Sequence, residues 1–253
     1  MTDSAAQRTP EFASTGIPQY AVYGASFSHS TDADRRRMIE RQGASWGASL
    51  ADAKPVKRAI DVAGAIVGLV LFGPLMLVIA LMVKREGGSA IFAHERIGWS
   101  GEKFRCLKFR TMVPDAGERL AAHLAANKSA REEWARDHKL RNDPRITRLG
   151  AFLRKTSLDE LPQFFNVLRG EMSLVGPRPI TAEEIRKYGD GFAYYTRCRP
   201  GITGIWQVSG RNDVSYPARV ALDTQYALNQ SIYFDCVILL RTFGVIASGA
   251  GAR

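Results

Sequence analysis

Cysteine and histidine are too few and too scattered in this 253-residue chain to build a site between them. The three cysteines, Cys106, Cys198 and Cys236, are odd in number and far apart, with no C-x-x-C pair. That excludes a disulfide framework and a cysteine-held zinc, and fits a reducing, cytoplasmic setting. The four histidines, His29, His94, His123 and His138, show no paired spacing, so none is given a metal or catalytic role. A basic start followed by a short apolar core and a small-residue cleavage site is also missing, so no secretory signal is read. Acidic residues are in deficit: 25 Asp plus Glu face 35 Lys plus Arg, a formal net charge of +10 with a pI near 9.8. Such an excess calls for an anionic partner: nucleic acid, an acidic membrane or a phosphorylated substrate. A hydrophobic content of 45% excludes a wholly disordered chain, and the length suits one main domain.

Residues 1–53 are rich in Ser, Thr, Ala and Gly with few periodic apolar positions and read as a mobile segment; the triplet Arg35–Arg37 is a solvated charge run or a short basic surface helix. The membrane signal follows. From Val62 to Val83 no residue is charged, and 22 helical residues at about 1.5 Å each just cross a hydrocarbon core. Gly73 and Pro74 lie at its middle, where proline removes a backbone donor and should bend or break the helix. Basic residues flank both ends, with Lys54, Lys57 and Arg58 before the run and Lys84 and Arg85 after it. Positive charge favours the cytoplasmic side, so the pattern is best satisfied by a re-entrant hairpin over residues 54–86 that turns at Gly73–Pro74; the alternative is a proline-kinked spanning helix. Asp61, at the mouth of the run, needs a basic neighbour such as Arg58 one turn earlier.

Residues 87–253 follow the apolar run as one further domain. Ala90–Ile97 and Lys103–Met112 are short strands joined by a Gly98–Gly101 turn, with Lys108 and Arg110 on one face of the second, toward substrate or toward water. Pro114 and Asp115 open an Ala-rich helical stretch to about Leu140, and Thr147 to about Leu168 is helical with an interruption near Pro162. On that second stretch Asp159 and Glu160 are crowded by Arg154, Lys155, Arg169 and Arg178. Arginines hold a neighbouring carboxylate ionised and grip phosphate oxygens with paired donors, so the block suits phosphoryl chemistry. Adjacent helical positions diverge by about 100°, so the two acids should take different roles. Alone, such a pair is an ordinary surface feature. Ile232–Ile246 is apolar but too short to span, and lies along a membrane interface or packs as a core helix.

Five separated blocks narrow this. KRAID at Lys57–Asp61, LKFRTM at Leu107–Met112, RKTSLDELPQ at Arg154–Gln163, GPRP at Gly176–Pro179 and RPGITGIWQVSGR at Arg199–Arg211 resemble, in this order, the bacterial sugar transferases that are monotopic polyprenyl-phosphate phosphoglycosyl transferases, exopolysaccharide initiators included. The resemblance runs from about Lys54 to the C-terminus. It implies an α+β, mainly helical, membrane-associated fold with a re-entrant helix-break-helix, a small β element and an active site at the cytoplasmic face of the bacterial inner membrane. It implies transfer of a sugar 1-phosphate from a UDP-sugar to undecaprenyl phosphate with Mg²⁺, the ion held by Asp159 and Glu160. Asp159 is then the nucleophile and Glu160 assists it. Arg154, Arg178 and Arg211 bind substrate phosphates, with Lys108 a weaker correspondence. Several relatives carry Ser before the hairpin proline, where this chain has Gly73, so the break rests on Gly and Pro alone. Two other classes are a non-enzymatic basic membrane adaptor of a polysaccharide assembly complex, which needs no dyad, and a nucleic-acid binder. The missing zinc-ligand set and RNA-binding aromatic motif, with the uncharged run, argue against nucleic acid. A homo-oligomer and the identity of the sugar are left open by these residues.

Overall fold

A computed structural model describes residues 32–137, 139–210 and 214–248. His29, His138 and Arg211 lie outside the described residues. Contacts divide the chain into Met1–Ala51 and Asp52–Arg253, and the following concerns the second unit.

The first helix, α1, runs from Asp32 to Arg85 with Pro55 and Pro74 inside it. It continues through Gly73–Pro74, where the sequence predicts a bend or break. Proline deletes a single donor, and an apolar helix whose other backbone groups are paired absorbs that loss. Within it, Pro55–Arg85 is the one stretch among the described residues long and apolar enough to cross a membrane, with a mean hydropathy of 2.8 over its most apolar 18 residues.

Burial along α1 recurs at helical spacing. Asp61, Ala65, Met76, Ile79 and Val83 are buried, while Val67, Val70, Leu71 and Leu77 are more than 60% exposed. The inner stripe docks closely because two of its positions are glycine: a Cβ on Gly64 would meet the Leu174 side chain at 2.5 Å, and one on Gly68 the Phe164 ring at 2.7 Å. Phe72 stacks on Phe164 with ring centroids 6.5 Å apart. Polar groups fix the register. Asp61 Oδ1 accepts from the Leu174 amide and the Ser173 hydroxyl, each at 3.0 Å. Its basic partner is Lys57, 3.5 Å away, rather than Arg58. Lys57 also donates to Asp235 at 2.7 Å. Arg58 instead caps the end of helix α5 (Gln163–Arg169), donating to the Val167 and Leu168 carbonyls, where four orphan acceptors collect.

Strands β1 (Ile91–Ile97) and β2 (Lys103–Phe109) form the expected antiparallel hairpin, with Ile91 opposite Phe109 and Ile97 opposite Lys103. The Ala-rich stretch is two helices, α2 (Ala116–Ala126) and α3 (Lys128–Asp137). Asn127 between them is extended, and its side chain accepts from the Ala130 amide. This Asn divides the stretch by capping the second helix more favourably than it would extend the first. Helix α4 (Arg148–Thr156), capped by Thr147, ends at Ser157, a non-glycine residue at φ 58°, and the chain passes through a 3₁₀ turn at Leu158–Glu160 before α5. A parallel pair, β3 (Ser173–Val175) and β4 (Gly201–Thr203), lies beside α5. Short helices α6 (Ile185–Tyr188) and α7 (Phe192–Tyr195) and the longer α8 (Tyr216–Asn229) and α9 (Ile232–Ser248) complete the unit. On α9, Ile238 and Asp235 are buried while Tyr233, Leu240 and Phe243 are at least 70% exposed, so the helix is core on one side and apolar surface on the other.

Candidate active site

Asp159 and Glu160 sit on the 3₁₀ turn rather than on a regular α-helix, because Ser157 reverses the chain direction four residues after Leu153. Three residues per turn separate the two side chains by about 120°. Both nevertheless reach one cation. Lys108 Nζ donates to Glu160 Oε1 at 2.6 Å and lies 3.7 Å from Asp159 Oδ2. Lys108 thus faces the dyad, whereas Arg110, two residues on, donates to the Val83 carbonyl and closes the end of α1. Asn166 sets this approach. Its Oδ1 accepts from the Leu107 amide at 2.9 Å and its Nδ2 donates to the Arg105 carbonyl at 2.7 Å, riveting α5 to β2 on either side of Cys106. An Asn among Phe164, Phe165, Val167 and Leu168 is the sequence signal for such a rivet; the structure buries it fully, and its partners on β2 are non-local.

Arg178 comes in from the far side. β3 and β4 deliver it: the Gly176 amide bonds Thr203 O and the Gly201 amide bonds Pro177 O, so the Gly-Pro-Arg-Pro segment leaves the parallel pair in a fixed direction. Its guanidinium lies 3.6 Å from Glu160 Oε1 and 5.8 Å above the Trp206 ring. Arg154 donates from Nε to the Thr111 hydroxyl at 2.8 Å, within electrostatic range of Asp159. The structure therefore gathers Asp159, Glu160, Lys108, Arg154 and Arg178 in one place, at a narrow cleft whose lining includes Arg96, Cys106, Lys108, Glu160, Gln163 and Arg178. Lys155 is exposed and turned away from burial. Arg96 was not singled out by the sequence. His94, on the same strand, has a buried Nδ1 without a hydrogen-bond partner.

Charge and burial oppose each other at Asp159. Only 8% exposed, it is pushed above the ordinary carboxylate range by burial, and the Glu160 charge adds to this; Lys108, Arg154 and Arg178 pull it back without prevailing. The sequence suggested that the arginines decide the matter, and burial outweighs them. The result is a more basic carboxylate held beside cations, suited to attack on an electrophile whose negative charge those cations offset.

A family profile described as Bacterial sugar transferase matches residues 52–249. The chain belongs to the bacterial sugar transferase family. Among similar bacterial sugar transferases, a UDP-galactose-lipid carrier transferase of Erwinia amylovora is 52% identical over 197 residues, which cover 78% of this chain and 41% of that protein. The exopolysaccharide production protein ExoY of Rhizobium meliloti is 51% identical, over 78% of this chain and 87% of ExoY. An undecaprenyl-phosphate galactose phosphotransferase of Salmonella typhimurium is 50% identical, over 78% and 41%. The chain thus spans about two fifths of the Erwinia and Salmonella sugar transferases and most of ExoY. The dyad, Lys108 and the arginines of the cleft all fall within the matched residues.

Proposed function

We propose that this sugar transferase moves a sugar 1-phosphate from a UDP-sugar to undecaprenyl phosphate through a covalent phosphosugar on Asp159, starting synthesis of an exopolysaccharide or another glycoconjugate. The observation that carries the reading is Asp159 itself, a buried carboxylate of raised basicity set 3.7 Å from a lysine ammonium and flanked by two arginines. In the first half-reaction a carboxylate oxygen bonds to the sugar-linked phosphorus and the bridging P–O bond breaks. UMP leaves with the bridging oxygen. In the second, a phosphate oxygen of the lipid carrier attacks the same phosphorus and the aspartyl O–P bond breaks, giving a diphosphate-linked sugar and a free carboxylate. Arg178, Arg154 and Lys108 offset the charge that builds on the leaving oxygen, and Glu160 holds Lys108 in place. Arg211 belongs to the same reading on the strength of its Ser-Gly-Arg block.

Mg²⁺ fits the donor chemistry. Asp159 and Glu160 would hold the ion, carboxylate oxygens being the hard donors it takes, and no cluster of three or more His, Cys, Asp or Glu suited to a metal occurs among the described residues. Bound there, it would supply Lewis-acid neutralisation of the diphosphate.

The same reading places the enzyme on the cytoplasmic face of the bacterial inner membrane with α1 re-entrant. Support comes from the helix ends: Asp61 is bonded to Ser173 and Leu174, Val83 packs with Phe109 and Leu153, and all belong to one unit. Ends held by one unit are what a re-entrant helix requires, and a bend at Pro74 would return the chain to the face it entered from.

Two measurements test the proposal. Purified enzyme in detergent, given a UDP-sugar without the lipid carrier, should release one UMP per protein and gain the mass of one phosphosugar. Asp159→Asn should do neither; UMP release by this variant at the wild-type rate sinks the covalent mechanism. In a Cys236→Ser background, cysteines introduced singly at Val56 and Glu86 should react with an impermeant reagent from one side of the membrane, and labelling from opposite sides rejects the re-entrant helix.

A further inference from the structure

The cleft holds a second guanidinium beside Arg178, and its surroundings leave it poorly paired. Arg96 lies near the end of β1, where the Ile97 amide bonds the Ile180 carbonyl at 2.9 Å and stitches the strand to the segment that carries Arg178. That bridge forces the two side chains to share a space. Their charges act on each other: burial and then the Arg178 charge hold Arg96 below the ordinary arginine range.

Arg96 has five N–H donors, and among the described residues its contacts are marginal: the Pro179 carbonyl at 3.4 Å and Glu184 at 3.5 Å. Glu184 is already engaged, accepting the Thr181 amide at 2.8 Å as part of a capping box. The other cations of the cleft differ. Lys108 is committed to Glu160 at 2.6 Å, and Arg178 faces Glu160 at 3.6 Å. Three cations thus line the cleft against a single lining carboxylate, and Arg96 is the one whose charge the dyad does not oppose. A guanidinium kept half-buried at such cost, next to another guanidinium, is stabilised by an anion that both can grip.

We propose that Arg96 and Arg178 form one phosphate clamp, in which Arg96 is a substrate-binding residue that takes oxygens of a substrate phosphate. The proposal rests on the transferase reading above and adds a residue to it. The phosphate has two sources, the diphosphate of the nucleotide sugar and the monophosphate of the lipid carrier, and steady-state kinetics separates them.

Arg96→Met and Arg96→Lys are compared with wild type by varying UDP-sugar at saturating carrier, then carrier at saturating UDP-sugar. Arg105→Met is the control, since Arg105 is exposed and points to the opposite face of the hairpin. Loss of a charged phosphate contact should raise the KM of one substrate about ten- to a hundredfold in Arg96→Met, with partial recovery in Arg96→Lys. A rise for UDP-sugar assigns the clamp to the diphosphate, and a rise for the carrier assigns it to the lipid phosphate. Should both KM values stay within twofold of wild type, or should Arg105→Met raise them equally, the clamp is refuted. Equal loss of kcat in Arg96→Met and Arg96→Lys with both KM values unchanged marks a structural prop and refutes it too. Should wild type itself transfer no phosphosugar, it is the transferase reading that fails. Binding of UMP and of a short polyprenyl phosphate, measured by calorimetry, then tests the clamp alone: affinities of Arg96→Met equal to wild type overturn it.

Discussion

Replacing Asp223 by Asn should change how stability depends on pH, by an amount the structure allows to be worked out. Asp223 is 1% exposed on α8. One carboxylate oxygen accepts from the Tyr188 hydroxyl at 2.7 Å, and the other is buried with no hydrogen-bond partner. Burial pushes its pKa from the ordinary 3.8 up to about 7, against the pull of Tyr188, Arg178 and Arg219. Between those values the unfolded chain releases the proton while the folded chain keeps it, so the folded state binds more protons and stability falls as pH rises. Above pH 7 both states are ionised and the full loss stands. At about 1.36 kcal/mol per unit the total is ~4 kcal/mol, of which roughly 3 kcal/mol falls between pH 5 and pH 8. Asn keeps an acceptor for Tyr188 and cannot ionise. Thermal unfolding of both proteins in lipid nanodiscs, followed at pH 5 and pH 8, should show the wild type losing roughly 6–12 °C relative to Asp223→Asn over that range. A gap between the two melting temperatures that stays constant with pH refutes the reasoning.

Lys108→Met should lower kcat by on the order of 100-fold, because the ammonium shared by Asp159 and Glu160 is lost; a variant within threefold of wild type in a UMP-release assay would show that Lys108 is peripheral. Gly176→Ala should cost about 3 kcal/mol or more, since the new Cβ would overlap the Arg199 carbonyl in a backbone-to-backbone approach that cannot relax; an unchanged melting temperature contradicts this. Asp61→Ala should cost ~3 kcal/mol by stripping the Leu174 amide and Ser173 hydroxyl of their acceptor, and thermal melts alongside Ser173→Ala, expected to lose about 1 kcal/mol, check the ordering. Maleimide should label one thiol per folded chain in detergent, since Cys236 is exposed while Cys106 and Cys198 are buried, and a stoichiometry of two or more contradicts the burial of those two thiols.

Local features were legible in the sequence where a local rule decides them. The β1–β2 hairpin follows from alternation and the Gly98–Gly101 turn, and a single Asn explains why one Ala-rich stretch becomes two helices once its capping is seen. The dyad was legible as a cluster of charge, because Arg154, Asp159, Glu160 and Arg178 are close in sequence as well as in space. What escaped is non-local. Strand alternation says that Lys108 and Arg110 share a face, but not that α1 ends under one and the dyad stands before the other. Ser157 carries no propensity for a left-handed conformation, so the break before Asp159 had no sequence signal, although strained backbone beside reactive groups is a recurrent arrangement. Arg96 was invisible because its role depends on the Ile97–Ile180 bridge, which joins segments over eighty residues apart.

Helix α1 answers to two solvents along its length. Its inner stripe, from Asp61 through Ala65 and Met76 to Val83, is protein interior, and its outer stripe, through Val67, Val70, Leu71 and Leu77, is mostly exposed and belongs to none of the buried clusters among the described residues. Cutting the helix away to obtain a water-soluble enzyme would therefore remove part of the core and expose Phe109, Leu153 and Phe164. Recolouring the outer stripe with Lys and Glu is the alternative, because those positions are mostly exposed. Such a redesigned chain would keep the core that frames its cleft while shedding the larger of its two exposed apolar faces, the other being the outer side of α9.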